Sequence, residues 1–155
     1  FLFQRKDEAL FIMGIRHIFV YGTLMRGMSN HNRFSGDALT IEPAVTTGRL
    51  YHLPYGFPAM FDAPDGQVFG EVMTFPDFQE TLNRLDYLEG YRPSGTSHYV
   101  RVSKSVTILS KREITTAWVY IYPKSRLEDI RRVGGKLVRD GRWNCSAPRS
   151  NIVTA

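Results

Sequence analysis

The carboxylate of Glu89 is the group in this sequence best suited to moving protons. A helical wheel at roughly 100° per residue places it in the middle of an apolar stripe formed by Phe78, Leu82 and Leu85. Burial disfavours the charged form of a carboxylate, and so does the negative end of a helix dipole. Both effects would raise the pKa of Glu89 towards the range in which an acid exchanges protons near neutral pH. Asp86, at the edge of the same stripe, is a flanking candidate.

The helix that would carry Glu89 is predicted over residues 74–90. Thr74 is a candidate N-cap, Pro76 suits the first turn, and Gly90 is placed to end the helix. Two interpretations of the last turn remain open. Either the helix continues to Gly90 and buries Glu89, or it frays earlier and Glu89 faces water.

A second candidate site follows the stretch 18–21, four residues that are almost continuously apolar rather than alternating. This pattern predicts a short strand that is buried on both faces at the centre of a sheet. Gly22 can adopt a positive φ and permits close approach, and the next residues offer consecutive backbone N–H groups, those of Thr23, Leu24 and Met25. Such a turn could bind a carboxylate or a phosphate. A plain strand-ending turn is the alternative, and it is the commoner meaning of a lone Gly-Thr pair.

Length and composition are those of one globular domain. The chain has 155 residues, and its 13% aromatic and 23% charged content is typical of folded rather than disordered proteins. The one cysteine, Cys145, cannot form an internal disulfide, which favours a reducing compartment, the cytoplasm. The four histidines show no metal-ligand spacing, since they stand singly at His17, His31, His52 and His98.

Residues 13–144 are the expected extent of the domain. We interpret residues 1–12 as upstream or leader sequence, with Met13 as the natural start. The apolar run in this region is too short to span a bilayer and lacks the cleavage pattern of a signal peptide, so no membrane partner is expected. Residues 145–155 have little to pack against and are predicted to form a C-terminal tail.

The remaining elements are mostly strands. Apolar alternation typical of strands occurs at 38–53, 68–72, 99–108 and 115–122, and the last two are predicted to pair around Lys111. Residues 26–34 predict a loop or a short irregular helix, and residues 127–133 a short helix. The proline-bounded turn 54–58 could wall a pocket, but we favour a loop that only covers the core.

Positive charge is concentrated near the end of the chain. The net charge is +5, and residues 124–149 contain eight Lys and Arg against three acidic residues. A basic face of this kind is usually just solvated, or it attracts an acidic small molecule. Nucleic-acid binding is disfavoured, because the segment lacks the interleaved aromatic residues and recognised modules of such proteins.

Two motifs resemble the gamma-glutamylcyclotransferase-like superfamily. They are Tyr21-Gly22-Thr23-Leu24-Met25-Arg26-Gly27 with Asn30-His31, and Leu85-Asp86-Tyr87-Leu88-Glu89-Gly90-Tyr91 with the later Tyr99. A Gly-Phe-Pro turn at 56–58 lies between them. The resemblance covers roughly residues 16–143, and the opening motif is especially similar to the gamma-glutamylamine cyclotransferase branch. It implies an α+β fold, a single small mixed β-barrel with flanking helices, whose cavity opens where the first strand meets the Tyr-Gly-Thr-Leu loop.

The resemblance also implies a reaction and its site residues. The reaction would be release of 5-oxoproline from a γ-glutamyl amine or γ-glutamyl amino acid, with Glu89 as general acid and base. The positions that match the family's substrate-binding residues are Tyr21, Gly22, Thr23 and Leu24, and Tyr99 would close or polarise the pocket. No metal or organic cofactor is expected. The alternative is a non-catalytic module of the same fold that binds a small carboxylate.

Overall fold

The computed structural model describes residues 14–91 and 99–144. The predicted leader at 1–12, the start at Met13 and the predicted tail at 145–155 lie outside these residues, as does Cys145.

Five strands close into a small barrel. They are β1 (Ile18–Val20), β2 (Thr40–Thr47), β5 (Gln67–Thr74), β6 (Val100–Ile108) and β7 (Glu113–Ile121), in the order β1-β5-β2-β6-β7. Neighbouring strands are antiparallel, except that β1 and β7 pair in parallel and so close the barrel. The expected α+β fold with a small mixed barrel is confirmed.

Strand β1 lies at the centre of the molecule, as its sequence predicts. All three of its residues are buried, and it pairs with β5 on one side and β7 on the other. Phe19 belongs to the barrel interior, whereas Ile18 and Val20 pack towards a helix outside the barrel. Burial on both faces accounts for the absence of polar residues in this strand.

The helix outside the barrel is α1 (Phe78–Leu88), and its start differs from the prediction. Thr74 is not the N-cap, because it is the last residue of β5 and pairs there with Thr40 of β2. The N-cap is Asp77, whose carboxylate accepts a hydrogen bond from the Glu80 N–H at 3.1 Å. The predicted apolar stripe of Phe78, Leu82 and Leu85 is buried against β1 and its neighbours.

A second, three-stranded sheet flanks the barrel. It consists of β3 (Arg49–His52), β4 (Pro58–Phe61) and β8 (Lys136–Leu137), in the order β4-β3-β8. The predicted strand region 38–53 is thus two strands, and Gly48, with φ +154°, lies between them. The loop that joins β3 to β4 carries the proline-bounded residues 54–57.

The other predicted elements are confirmed. Strands β6 and β7 form an antiparallel hairpin in which Ile108 faces Glu113. The short helix near the C-terminal end is α2 (Leu127–Arg132), preceded by a 3-10 turn at Lys124–Arg126. Of the two possibilities left open for residues 26–34, a loop or a short irregular helix, the structure shows a loop that leads into a five-residue π-helical turn, His31–Ser35. Within the described ranges, no helix is long and apolar enough to cross a membrane.

Candidate active site

A cavity of about 250 Å³ lies where the end of β1 meets the end of α1. Its walls come from the end of β1 and the loop after it, the last turn of α1, the β3–β4 loop with the first residue of β4, and the two ends of the β6–β7 hairpin. The six residues predicted from the sequence all line this cavity: Tyr21, Gly22, Thr23, Leu24, Glu89 and Tyr99.

Glu89 stands at the C-terminal end of α1. Its N–H donates a hydrogen bond to the Leu85 carbonyl at 2.9 Å, and its backbone remains in the right-handed helical region. Gly90 then reverses the chain with φ +64°, and the Tyr91 N–H donates to the Asp86 carbonyl at 2.9 Å. Of the two interpretations left open by the sequence, the structure favours the one in which Glu89 keeps its helical position and turns inward.

The Glu89 carboxylate has a raised pKa and no protein partner among the described residues. Burial raises its pKa from the usual 4.5 to about 7. Among the described residues, no side chain or backbone group donates a hydrogen bond to it, and no cation pairs with it. A buried carboxylate without a protein partner is costly, and at a cavity wall it is available to a ligand.

The loop after β1 offers two adjacent backbone donors to the same cavity. Within residues 14–91 and 99–144, the N–H groups of Thr23 and Leu24 have no hydrogen-bond partner. The Met25 N–H, which the sequence suggested as a third donor, instead donates to the Gly22 carbonyl at 3.1 Å and closes the turn. Two neighbouring free N–H groups can bind a carboxylate or polarise a carbonyl oxygen.

Gly22 is required by packing rather than by backbone conformation. Its φ is not positive, which corrects one reason given for it from the sequence. A Cβ at this position would lie 2.7 Å from Cγ of Pro58, the first residue of β4. The other expected reason, close approach, therefore holds, and the approaching group is the Pro58 ring.

The π-helical turn holds the loop in place through polar contacts that the sequence did not predict. The Asn30 side-chain amide donates to Thr23 Oγ1 at 3.0 Å, and the Asn30 N–H donates to the Thr23 carbonyl at 2.9 Å. The Ser35 hydroxyl donates to the Leu24 carbonyl at 2.8 Å. His31 Nδ1 lies 3.0 Å from the same carbonyl oxygen. The only sequence signal for this support was the Asn30-His31 pair in the first motif.

Three tyrosines surround Glu89 without bonding to it. The Tyr21 hydroxyl donates to the Tyr120 carbonyl at 2.5 Å, that of Tyr120 to Asp86 Oδ1 at 2.6 Å, and that of Tyr99 to the Pro58 carbonyl at 3.3 Å. Burial is the main cause that raises the pKa of all three, and the charge of Glu89 adds to it. The three hydroxyls are therefore neutral and already donate to other acceptors, so none of them donates to the Glu89 carboxylate.

Asp86, the flanking candidate, lies outside the cavity wall and anchors α1 to the barrel. Its second oxygen pairs with Arg101 of β6 at 3.1 Å, and the Arg101 guanidinium lies over the rings of Trp118 and Tyr91. Burial raises the pKa of Asp86, while the Tyr120 hydroxyl and Arg101 lower it. The structure thus assigns Asp86 a positioning contact. Tyr120 was missed as a wall residue, although the aromatic parity of its strand was visible in the sequence.

The β3–β4 loop forms part of the cavity wall. Phe57 and Pro58 both line the cavity, so the favoured interpretation of this turn as a simple core cover is wrong. The cause is the contact with Gly22, which brings Pro58 and the residue before it against the first motif.

The basic residues of α2 pair with acidic residues on the same helix. The described residues contain no group of three or more His, Cys, Asp or Glu arranged to hold a metal ion. On α2, Arg131 pairs with Glu128 and Arg132 with Asp129, all largely exposed. These pairs are typical of a solvated helix face.

The cavity, with a carboxylate on one side and a strand-ending loop on the other, can be compared with known families. Residues 18–145 match the family described as Gamma-glutamyl cyclotransferase, AIG2-like. The chain belongs to this family. The resemblance noted in the two sequence motifs is therefore confirmed.

Two curated relatives and one solved structure illustrate the family match. A Methanocaldococcus jannaschii protein, provisionally named a gamma-glutamylcyclotransferase, is 31% identical over 117 residues, which cover 72% of this chain and 88% of that protein. The Gamma-L-glutamyl-butirosin B gamma-glutamyl cyclotransferase of Niallia circulans is 28% identical over 106 residues, or 68% of this chain and 66% of that protein. The solution structure of an Arabidopsis thaliana protein has TM-score 0.59 at 22% identity, covers 74% of this chain and 73% of that one, and shares the fold.

Proposed function

We propose that the protein is a cyclotransferase that releases 5-oxoproline from a γ-glutamyl amine or a γ-glutamyl amino acid. Glu89 is the general acid and base of this reaction, and the loop from Tyr21 to Leu24 binds the γ-glutamyl group. Tyr99 closes the cavity on the side of β6. Membership of the family supports a reaction of this class.

One observation carries the proposal. The largely buried carboxylate of Glu89 and the N–H groups of Thr23 and Leu24, none of which has a partner among the described residues, line the same cavity. A γ-glutamyl compound brings an α-ammonium that must lose a proton, a carboxylate, and a carbonyl that must be polarised. The cavity supplies the Glu89 carboxylate as acceptor for the ammonium proton, and backbone N–H donors for the substrate carboxylate and carbonyl.

The reaction needs no external nucleophile. The substrate's α-amine attacks its own γ-carbonyl, a ring C–N bond forms, and the bond to the leaving amine breaks. The α-ammonium loses two protons as it becomes the ring N–H: Glu89 takes the first and returns it to the leaving nitrogen, and the second leaves the ring nitrogen after attack and ends on the released amine. The products are therefore 5-oxoproline and the protonated amine. Holding the tethered amine in attack geometry provides much of the acceleration, and proton transfer adds about 10²–10⁴-fold.

A non-catalytic module that binds a small carboxylate is the alternative. Such a module would be favoured by a Glu89 side chain that points to solvent or is locked in an ion pair away from the cavity. Neither arrangement is found among the described residues, because Glu89 lines the cavity and pairs with no cation there. This supports the enzyme over the module.

The deciding experiment measures 5-oxoproline release from γ-glutamyl amines, γ-glutamyl amino acids and glutathione. We expect release by the wild-type protein and a loss of about 10²–10⁴-fold in kcat for Glu89→Gln, which keeps the size of the side chain and removes the exchangeable proton. Glu80→Gln is the matched control, since Glu80 is an exposed carboxylate on the same helix. No release from any substrate, together with thermal stabilisation by 5-oxoproline, would support the binding module.

A further inference from the structure

The β3–β4 loop presents an aromatic pair beside the cavity. The ring of Phe57 lines the cavity, and the ring of Tyr55 stacks on it with centroids 5.9 Å apart and planes inclined by 29°. Tyr55 is 52% exposed, so about half of its surface remains available to a ligand. The pair therefore extends the apolar wall of the cavity outwards to the surface.

The loop that carries this pair is held rigidly. The Leu53 N–H donates to the Phe57 carbonyl at 3.0 Å, and the Gly56 N–H donates to the Leu53 carbonyl at 3.3 Å. Leu53 is fully buried, and the prolines on either side of the loop restrict its backbone. An aromatic surface fixed in this way loses little conformational entropy when a ligand covers it.

We propose that Tyr55 and Phe57 form a subsite for the leaving group of the substrate, and that this subsite selects amines with an apolar or aromatic stem. The inference rests on the proposed function, because it assumes that the γ-glutamyl portion occupies the cavity.

The direction of the leaving group follows from the positions of the polar groups. Within the part of the chain that the structure describes, the N–H donors of Thr23 and Leu24 and the carboxylate of Glu89 are free to bind the γ-glutamyl portion. The wall formed by Phe57 and Pro58 offers carbon surface, and the Pro58 carbonyl already accepts the Tyr99 hydroxyl. An amine that leaves along this wall crosses the Phe57 ring and, if its stem is long enough, reaches Tyr55.

The test compares binding of two synthetic amides of L-glutamate, the γ-methylamide and the γ-phenethylamide. Glu89→Gln protein is used so that both amides remain intact, and the dissociation constants are measured by isothermal titration calorimetry. We expect the phenethylamide to bind about tenfold more tightly or better, because its extra carbon surface is covered by the two rings. Adding Tyr55→Ala should reduce that ratio to about threefold or less.

The matched control is Tyr87→Ala in the same Glu89→Gln background. Tyr87 is also an exposed tyrosine, at 89%, but it lies on α1 and does not line the cavity. We expect it to keep the full ratio. Equal affinity for the two amides, or an equal effect of Tyr55→Ala and Tyr87→Ala, would overturn the subsite.

Release of 5-oxoproline by the wild-type protein separates this inference from the proposed function. Release from both amides with the same kcat/KM, and no difference in binding, would leave the cyclotransferase proposal standing and remove the subsite. A Tyr55-dependent difference in binding, without release from either amide, would keep the subsite and remove the reaction. Release with kcat/KM higher for the phenethylamide supports both.

Discussion

At the scale of single residues, burial brings the pKa of Glu89 into the range that the proposed proton transfer requires. Its pKa of about 7 is caused by desolvation, and the described residues offer the carboxylate no counter-charge. The base form is the carboxylate, so the active fraction rises as pH increases towards 7 and levels off above it. We expect kcat/KM for 5-oxoproline release to increase about tenfold per pH unit below 7, measured between pH 5 and 8.

The control for this pH profile is Glu80→Gln. Its carboxylate is 69% exposed and pairs loosely with Arg84 at 3.5 Å, so the variant should show the same inflection as the wild type. An inflection near 4.5, the ordinary value for a glutamate, would show that the carboxylate is solvated during the reaction. A flat profile would remove Glu89 as the base.

The helical wheel predicted the inward position of Glu89, because which face of a helix is buried follows from local periodicity. It could not foresee the tyrosines around it. Tyr99 and Tyr120 come from the β6–β7 hairpin, and their distance from Glu89 is set by how the barrel closes. Tyr99 was placed in the site by the family resemblance, while Tyr120 was left out.

At the scale of elements, the cavity depends on the close contact between the loop after β1 and the start of β4. A Cβ at position 22 would lie 2.7 Å from Cγ and 2.8 Å from Cδ of Pro58. We expect Gly22→Ala to destabilise the protein by about 1–3 kcal/mol, the usual cost of overpacking, and to lower kcat/KM because both residues line the cavity. Urea unfolding at constant pH measures the first effect.

The matched double mutant tests whether the Pro58 ring is the cause. In a Pro58→Ala background the ring is absent, so adding Gly22→Ala should cost clearly less than it does in the wild type, and the two changes should be non-additive. Additive costs would mean that the glycine is needed for another reason, such as its backbone freedom.

The errors in the predicted elements were also caused by contacts between residues that are distant in the sequence. Thr74 has the side chain of a good N-cap, but Thr74 pairs with Thr40 and its carbonyl accepts the Leu39 N–H at 2.7 Å, so the strand ladder retains it. Asp77, also a good N-cap residue, takes the position three residues later. Turn 54–58 was recognisable from its prolines, whereas its neighbour Gly22 lies more than 30 residues earlier and could not be paired with it by local pattern.

At the scale of the whole molecule, the order in which the strands pair around the barrel could not be predicted from sequence periodicity. Strand β1 pairs with β5 and with β7, and both lie far along the chain. Alternation predicts each strand and the local β6–β7 hairpin, but not which distant strand lies beside β1. The barrel was predicted from the family resemblance. The structure gives its physical reason, because closing the barrel covers both faces of β1.

The same closure that buries Glu89 should make the protein's stability depend on pH. The folded protein holds the Glu89 proton up to about pH 7, while the unfolded chain loses it near 4.5. Between these values the folded state binds more protons, so this residue lowers the free energy of unfolding as pH rises, by at most about 3 kcal/mol in total, and no further above 7. We expect Glu89→Gln to be more stable than the wild type at pH 8 and close to it at pH 4.5.

Thermal unfolding of both proteins across that pH range measures the difference, because other titrating groups contribute equally to each and cancel. Glu80→Gln should show no such pH-dependent gain, since its exposed carboxylate changes stability by no more than about 0.5 kcal/mol. A Glu89→Gln protein that is equally or less stable than the wild type at pH 8 would mean that the folded protein accommodates the ionised carboxylate without cost. The raised pKa, and with it the acid and base role, would then lose its physical basis. If Glu89→Gln instead gains stability at pH 8 and loses activity, the ionised Glu89 carboxylate destabilises the folded protein and is needed for the proposed reaction.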